Sequence, residues 1–359
     1  MTFLHNAWYA FAWADDLTDT MFPRTVLGLP LVAYRKKNGL PAILHDRCPH
    51  RFAPLSMGKL IDDTIECGYH GLRFDCSGAC SFNPHNEGQI PPKAVVRNFP
   101  AAERHRMIWV WMGQAGLADP ANIPDFSCHT QPDLKMIHGE MTQEAHYQLI
   151  IDNLLDLSHI NYLHAPYQEV HGLLSVKHEV VFEQGVLESR RTVPSTNAQK
   201  SFASFLANPD QPVEFWLNIK WFPPGACQLE VGVTPAGRPR SEGLSRIGTH
   251  IVTPESEGTT RYFYASCRNY ALDDPKADDK IRWWQQVGFH EQDKPMIEAV
   301  QKNMQSSDLL SLKPILLSPD VAAVRARRIL SQLIAEEMHA PKTVHLHDMT
   351  RDDKATSEI

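Results

Sequence analysis

Cys48-Pro49-His50 and Cys67-Gly68-Tyr69-His70 are the two stretches of this 359-residue chain that decide its fold. They form the pattern C-x-H-x16-C-x2-H, because sixteen residues separate His50 from Cys67. Each stretch offers one thiolate and one imidazole, so two loops brought together can enclose a single metal centre. Nearby glycines permit the tight turns that such loops need. The two stretches therefore predict a loop-built metal site with both sulfur and nitrogen ligands.

Two kinds of metal centre use this set of ligands. A Rieske iron–sulfur cluster takes two cysteines on one iron and two histidines on the other, whereas Cys2His2 is also a structural zinc set. Zinc fingers pair CxxC with HxxxH, but here each loop mixes cysteine with histidine, which favours the 2Fe–2S cluster and leaves zinc as the alternative. Cys76 and Cys80 follow closely and are interpreted as ordinary loop residues. The four predicted cluster ligands are Cys48, His50, Cys67 and His70.

The sequence around these loops divides into a β-rich first part and a mixed second part. Residues 1 to about 115 have the composition of short strands, interrupted by Pro30 and by the turn Lys36-Lys37-Asn38-Gly39. The proline-containing stretch 118–124 is the predicted domain boundary. We therefore expect one domain over residues 1–120, a second over 121–339 and a charged, flexible tail over 340–359.

The second part alternates between helical and strand patterns. Apolar residues from Tyr147 to His164 follow helical spacing, and residues 175–270 predict a mostly antiparallel sheet. Two further helices are expected, from Asp279 to about Gln305 and from Pro319 to about Met338. The predicted fold class is therefore α+β.

A second group of metal-type residues lies in the first of these helices, where Asp156, His159 and His164 form D-x2-H-x4-H. Asp156 and His159 share a helix face, but His164 needs a bend or a helix end to bring its ring to His159. Two histidines and one carboxylate make the facial triad of non-haem Fe(II) oxygenases. Taken alone, two such histidines more often have a structural role. The upstream cluster motif reverses this and favours a role as iron ligands. Spacing does not identify the carboxylate, for which the candidates are Asp278, Asp279, Glu291, Asp293 and Glu298.

Cys48-Pro49-His50-Arg51 and Cys67-Gly68-Tyr69-His70-Gly71-Leu72 resemble the signature of Rieske non-haem iron oxygenases acting on aromatic substrates. Asn6-Ala7-Trp8-Tyr9 and the run from Glu103 to Trp111 are similar to the single-subunit branch, which contains vanillate and dicamba O-demethylases and toluenesulfonate methyl-monooxygenase. The resemblance extends to about residue 335. It implies an all-β Rieske domain followed by a catalytic domain whose antiparallel sheet is flanked by helices.

The resemblance also implies roles for residues around the second metal centre. The family places its carboxylate ligand in a late helix before a basic residue, and Gln292-Asp293-Lys294 is similar, so Asp293 is the expected third ligand. In the family, the acid matching Asp156 bridges a cluster histidine of one subunit to an iron-ligating histidine of the next, here His70 and His159. Such head-to-tail contacts imply a cyclic homotrimer. Asn153, one turn earlier, is either a further polar group near the iron or a helix cap.

The resemblance implies a terminal oxygenase component that receives electrons from NAD(P)H through a flavin and iron–sulfur reductase. With O2 as co-substrate, it is expected to O-demethylate a small methoxylated aromatic acid, such as vanillate, and to release formaldehyde. Methyl or ring hydroxylation of an aromatic acid or aryl sulfonate by the same centres is the alternative. Two rivals from other classes are an electron-transfer Rieske ferredoxin and a zinc-stabilised binding protein.

Substrate contacts are expected on strands of the second part. The stretches Phe215–Phe222 and Gly248–Ile251 are candidates for the pocket wall, and His250 resembles a residue that helps hold the substrate carboxylate in dicamba O-demethylase. Trp221-Phe222-Pro223-Pro224 departs from the dicamba pattern and is more similar to vanillate or toluenesulfonate enzymes. His250 is therefore a candidate anion-binding residue, with a satisfied polar residue on a sheet as the alternative.

Composition bounds the remaining possibilities. A net charge of -7 gives no basic footprint, so nucleic acid is not an expected partner. The apolar run Met107–Met112 is too short to span a bilayer, and the first residues lack a secretory pattern. The expectation is a cytoplasmic protein without a membrane partner, whose seven cysteines are not organised as disulfides.

Overall fold

Three small antiparallel sheets build the first part of the chain, in a computed structural model that describes residues 3–165 and 170–339. The predicted tail at 340–359 therefore lies outside the described residues. The sheet orders are β1-β11-β10, β2-β3-β4-β9 and β5-β6-β7-β8. Their strands are Trp8–Trp13 (β1), Phe22–Val26 (β2), Leu29–Arg35 (β3), Pro41–His45 (β4), Lys59–Ile61 (β5), Thr64–Glu66 (β6), Arg73–Phe74 (β7), Cys80–Phe82 (β8), Asn98–Phe99 (β9), Ala101–Arg104 (β10) and Met107–Trp111 (β11).

The β2–β3 hairpin corrects one expectation. Pro30 does not break the strand: it lies inside β3, opposite Thr25. The turn falls earlier, at Leu27 and Gly28, whose φ angles are 50° and 78°. Leu27 N–H and Gly28 N–H donate to backbone carbonyls of Pro254 and Glu255, so tertiary contacts fix this turn.

One seven-stranded antiparallel sheet forms the centre of the second part, in the order β12-β18-β17-β16-β15-β14-β13. The predicted antiparallel sheet is confirmed, and its edge strand β12 starts before the predicted range. The strands are Lys135–Gln143 (β12), Glu179–Glu183 (β13), Val186–Thr196 (β14), Val213–Phe222 (β15), Ala226–Pro235 (β16), Leu244–Pro254 (β17) and Thr260–Arg268 (β18).

Helices flank this sheet, as the α+β prediction requires. The α-helices are Tyr147–Leu155 (α1), Lys200–Ala203 (α2), Pro275–Gln285 (α3), Lys294–Met304 (α4) and Val321–His339 (α5), with a π-helix at Gln286–Asp293 between α3 and α4. Short 3-10 turns lie at Ala14–Asp16, Leu55–Met57, Asn86–Gly88, Ala115–Leu117, Pro120–Asn122, Ser127–His129, Leu157–Asn161, Arg240–Glu242, Leu310–Leu312 and Ser318–Asp320.

Helix α3 begins at Pro275, earlier than the predicted start at Asp279. The Asp274 carboxylate accepts a hydrogen bond from Lys276 N–H, and proline occupies the first helical position, which is a strong helix start. Among the described residues, no helix combines the length and apolar character needed to cross a bilayer.

Buried contacts join the two parts and fix α1. Trp13 and Trp109 of the first part share an apolar cluster with Phe263 of β18. Across the second part, Arg327 on α5 pairs with Asp152 on α1 at 2.6 Å between Nη2 and Oδ2. This pair is largely buried and holds α1 against α5, so the helix that precedes the predicted iron ligands has a fixed position.

Candidate functional site

The two Cys/His loops meet with sulfur inside and imidazole outside. Cys48 and Cys67 are each 2% exposed and pack in the core under the small sheets. The rings of His50 and His70 lie 4.5 Å apart, and His50 is exposed. Each loop is closed by a backbone hydrogen bond to its cysteine carbonyl, from Phe52 N–H at 2.9 Å and from Gly71 N–H at 3.0 Å.

Close backbone packing holds the second loop in place. A Cβ on Gly68 would lie 2.8 Å from the backbone oxygen of Met57, so no larger residue fits without displacing the chain. Burial raises the pKa of the Cys48 thiol to about 11, and a contact with Cys67 acts in the same direction. A bound metal ion would displace that proton, as thiolate ligation requires. Two buried sulfurs under two rim imidazoles are the donor set that a Rieske cluster uses.

The second group of metal-type residues is formed by the end of α1. Asp156, with φ -99° and ψ 88°, leaves the helical region, and its carboxylate accepts a hydrogen bond from Ser158 N–H at 3.0 Å. The chain then continues as the 3-10 turn Leu157–Asn161. This break is the bend that the five-residue spacing requires, and it brings the rings of His159 and His164 to 5.0 Å.

Asp293 completes this group from a distant part of the chain. Its Oδ1 lies 3.3 Å from His164 Nε2 and 3.7 Å from His159 Nε2, and the residue is 7% exposed. Asp293 is the last residue of the π-helix, a geometry that is common at functional sites. One ligand atom from each residue lies within 4.8 Å of the others.

Neighbouring groups orient the three side chains. His159 Nδ1 pairs with the backbone oxygen of Asp156 at 2.5 Å, and His164 Nδ1 pairs with Gln292 Oε1 at 2.8 Å, so both Nε2 atoms face Asp293. Asn153 Nδ2 donates to Asp293 Oδ1 at 3.2 Å from within α1, rather than capping the helix. Within the described chain, the Asp156 carboxylate accepts a hydrogen bond from Ser158 N–H, and the hydrogen bond to His159 is made by the Asp156 carbonyl.

The two histidines have opposite pKa shifts. Burial lowers the pKa of His159. Burial is the largest single influence and opposes charge on His164, but the hydrogen bond to Asp293, the charge of Asp293 and the hydrogen bond to Gln292 together outweigh burial and raise the pKa of His164. The two imidazoles and the carboxylate converge on one small space. They are the donor set of a facial-triad Fe(II) site.

A largely apolar cavity opens beside these residues. His250 on β17 lines it and is 4% exposed; burial lowers the pKa of His250 to about 4, so its ring is neutral at pH 7. His250 Nδ1 pairs with Tyr262 Oη at 2.6 Å, whereas Nε2 has no hydrogen-bond partner among the described residues. The other residues lining the cavity are Asn153, Leu154, Leu157, His159, Ile160, His164, Leu229, Val231, Arg246, Gly248, Ser266, Trp284, Phe289 and Asp293.

Only one of the two stretches predicted to form the pocket wall lines this cavity. Gly248 and His250 line the cavity as expected of the stretch Gly248–Ile251, but no residue of Phe215–Phe222 is among the lining residues described. The neighbouring strand β16 supplies Leu229 and Val231 instead. Arg246 was missed, although its alternation with Gly248 and His250 places all three on one face of β17.

A third cluster of ligand-type residues consists of Cys128, His129 and Cys267. Both nitrogens of His129 already have hydrogen-bond partners, the His105 carbonyl at 2.9 Å and the Thr249 hydroxyl at 2.8 Å. Only the two thiols remain as donors, so this buried group is not assigned as a metal site.

The two candidate metal sites are separate within the chain. The cavity beside His50 and His70 is lined by residues between Pro49 and Ala94. The cavity beside His159 is lined by residues between Asn153 and Asp293. The two described linings share no residue.

Comparison with known proteins gives two family matches. Residues 7–100 match the Rieske 2Fe-2S domain, and residues 143–336 match the vanillate O-demethylase oxygenase C-terminal domain. The boundary predicted at 118–124 lies between the matched ranges and stays a prediction.

Individual relatives cover almost the whole chain. The oxygenase component of dicamba O-demethylase from Stenotrophomonas maltophilia is 38% identical over 333 residues, which cover 93% of this chain and 98% of that protein. The oxygenase component of chloroacetanilide N-alkylformylase from Rhizorhabdus wittichii is 39% identical, covering 95% and 98%. The crystal structure of dicamba monooxygenase bound to 3,6-dichlorosalicylic acid superposes with a TM-score of 0.90 at 37% identity, covering 94% of this chain and 100% of that one. These matches confirm the predicted fold.

Proposed function

This chain belongs to the Rieske non-haem iron oxygenases, among the oxygenase components of O-demethylase-type systems, and on that premise we propose that it O-demethylates a small methoxylated aromatic acid such as vanillate. The observation that carries the proposal is the convergence of His159, His164 and Asp293 beside a mainly apolar cavity. The similar enzymes act on different compounds, so the substrate class rests on this cavity rather than on any one relative.

The ligand assignments follow from the two donor sets. Cys48, Cys67, His50 and His70 would hold the 2Fe–2S cluster, and His159, His164 and Asp293 would hold the mononuclear Fe(II). When bound, the cluster supplies single-electron transfer and the mononuclear iron supplies O2 activation. The chain's task is to position the substrate methyl group and to exclude water around it.

The overall reaction consumes one O2, two protons and two electrons, and the electrons come from NAD(P)H through a partner reductase. One oxygen atom is inserted into a methyl C–H bond of the aryl methyl ether, and the other leaves as water. The resulting hemiacetal breaks its C–O bond to give a phenol and formaldehyde. Atoms and electrons balance for a single turnover.

Residues around the iron ligands have positioning roles. Gln292 and the Asp156 carbonyl fix the orientation of the two imidazoles, as outer hydrogen bonds do for metal-ligating histidines. Asn153 restrains Asp293 through its amide. The apolar side chains Leu229 and Val231 contact an aromatic ring entering the cavity, and the neutral His250 directs Nε2 toward a polar substituent.

We also propose a homotrimer in which electrons cross between subunits. The described metal sites share no lining residue, and the rim of the cluster site is exposed and apolar: Phe52, Met57 and Tyr69 are 61%, 79% and 62% exposed. Such a rim suits contact with a neighbouring subunit or with the reductase. Asp156 would then bridge His70 of one subunit to His159 of the next. Replacing Asp156 with Asn should retain both metals yet lower turnover strongly; unchanged electron coupling would remove this role.

Methyl or ring hydroxylation of an aromatic acid or aryl sulfonate is the second candidate. It uses the same cavity and the same centres, and it differs only in the bond that receives oxygen. A benzylic alcohol or phenol formed without formaldehyde would identify it.

The test is a screen of methoxylated benzoates and aryl sulfonates with reductase, NADH and O2. The proposal predicts equal amounts of phenol and formaldehyde from a methoxybenzoate. The matched control is His164→Ala, which should form neither product. Formaldehyde formation that survives in this variant, or its absence with every methoxybenzoate, would contradict the proposal.

A further inference from the structure

Within the part of the chain that the structure describes, Arg246 is a buried cation without a counter-ion. It lies on β17, is 7% exposed, and among the described residues no carboxylate forms an ion pair with it. Its cross-strand neighbour Arg268 is also buried, but the Arg268 guanidinium forms an ion pair with Asp278 at 2.5 Å. Buried charges in folded proteins are normally paired, so the solitary state of Arg246 calls for a ligand.

The groups around Arg246 do not neutralise its charge. Its guanidinium carbon lies 5.8 Å from the centre of the Phe202 ring, a cation–π contact that offsets only part of the desolvation free energy of an ion. Burial and next the charge of Arg246 lower the pKa of Lys280, so a second cation faces it. Tyr270 is the acidic group that acts on Arg246, and its phenol is protonated because burial raises its pKa.

Arg246 lines the same cavity as the proposed iron ligands. Side chains two residues apart along a strand point to the same face, so Arg246, Gly248 and His250 form one row on β17. Between the two basic residues, Gly248 lets the His250 ring lie close to the backbone, because a Cβ there would be only 3.0 Å from His250 Nε2. A polar group of a ligand in this cavity can therefore be directed at Arg246.

We infer that Arg246 binds the planar anionic group of the substrate, a carboxylate or a sulfonate, and makes this cavity selective for aromatic anions over neutral analogues. The inference rests on the proposed function and names the residue that sets its substrate class. A guanidinium suits this task because its parallel N–H groups bond two oxygens of one anion.

Binding without turnover tests the inference. Calorimetric titration of the metal-loaded enzyme under nitrogen, without reductase, uses 3-methoxybenzoate, 3-methoxybenzenesulfonate and the neutral 3-methoxybenzamide. Arg246→Gln should weaken binding of the carboxylate or the sulfonate by about 10- to 100-fold and change binding of the amide by less than about threefold. The tighter of the two anions in the wild type identifies the natural anionic group.

Two further variants control for charge and folding. Lys280→Gln removes a cation that faces Arg246 outside the described cavity lining, and it should leave the preference for anions intact. Arg246→Lys retains the charge without the two-pronged geometry, so a smaller loss confined to the anions is expected. This variant decides the question if Arg246→Gln does not fold.

The outcomes separate this inference from the proposed function. Equal weakening of anions and amide, or an unchanged ratio between them, overturns the role of Arg246 even if formaldehyde is released. Selective loss of anion binding in a protein that releases formaldehyde from no methoxyarene supports Arg246 and contradicts demethylation.

Discussion

The cluster site and the iron site are built in opposite ways. The first takes its four proposed ligands from two loops between residues 48 and 70, with buried thiols under an exposed His50. The second joins a helix end at His159 to a π-helix at Asp293, and Asp293 is 7% exposed. The comparison teaches that the proposed cluster site faces outward, whereas the proposed iron site is enclosed.

The supports of the two sites differ as well. The cluster loops depend on close backbone packing, as at Gly68 against Met57. The iron site depends on long-range ties, among them Arg327 to Asp152 and Gln292 to His164. Substitutions can therefore damage one site and spare the other.

Cys67→Ser should have the largest effect. Loss of a buried cluster thiolate should abolish the visible absorbance of the purified protein and all reductase-dependent turnover. Serine is close to cysteine in size, so the packing around the loop is retained. Visible absorbance that persists, or zinc found in place of iron in the wild type, would contradict the cluster assignment.

Arg327→Met should destabilise the part of the chain that carries the iron site. Breaking this buried pair leaves the Asp152 carboxylate without its partner, which costs about 3–5 kcal/mol in the free energy of unfolding. Denaturant titration followed by tryptophan fluorescence measures this, and the cluster absorbance in buffer should stay unchanged. Arg238→Met is the control, because its pair with Glu242 is exposed and should contribute less than about 1 kcal/mol.

Gln292→Leu should weaken the iron site without touching a ligand. His164 then loses the acceptor that fixes its ring, and changes of this kind lower metal affinity or activity by about 10- to 100-fold. Iron titration of the metal-free protein measures the affinity. An affinity equal to that of the wild type would show that Gln292 does not orient His164.

Gly68→Ala should have the smallest effect and act on the cluster loop alone. The added Cβ meets the Met57 carbonyl, and overpacking of this kind costs about 1–3 kcal/mol. During heating, the variant should lose its cluster absorbance faster than the wild type does. Gly116→Ala, where a Cβ meets nothing within 4 Å, should behave like the wild type.

The same contrast explains what the sequence could predict. The cluster loops are local, so spacing alone indicated Cys48, His50, Cys67 and His70 as a group. His159 and His164 also showed in spacing, and so did the need for a bend. Asp293 could be chosen only by resemblance, because its approach depends on a π-helix and on the packing of distant elements.

Other features needed the folded chain. Among the described residues no carboxylate pairs with Arg246, and this depends on how distant segments pack, which no sequence pattern shows. Pro30 was interpreted as a break because proline lacks an N–H, yet its position in the β2–β3 hairpin tolerates that loss.

The central claim is that one chain holds a cluster for electron transfer and a separate iron for oxygen chemistry. Iron analysis, the visible spectrum and turnover of His164→Ala beside the wild type test it most directly. We expect about three iron atoms per wild-type chain and about two in the variant, with an unchanged cluster spectrum and turnover lowered by more than about 100-fold. Equal iron content and equal turnover in the two proteins would contradict it.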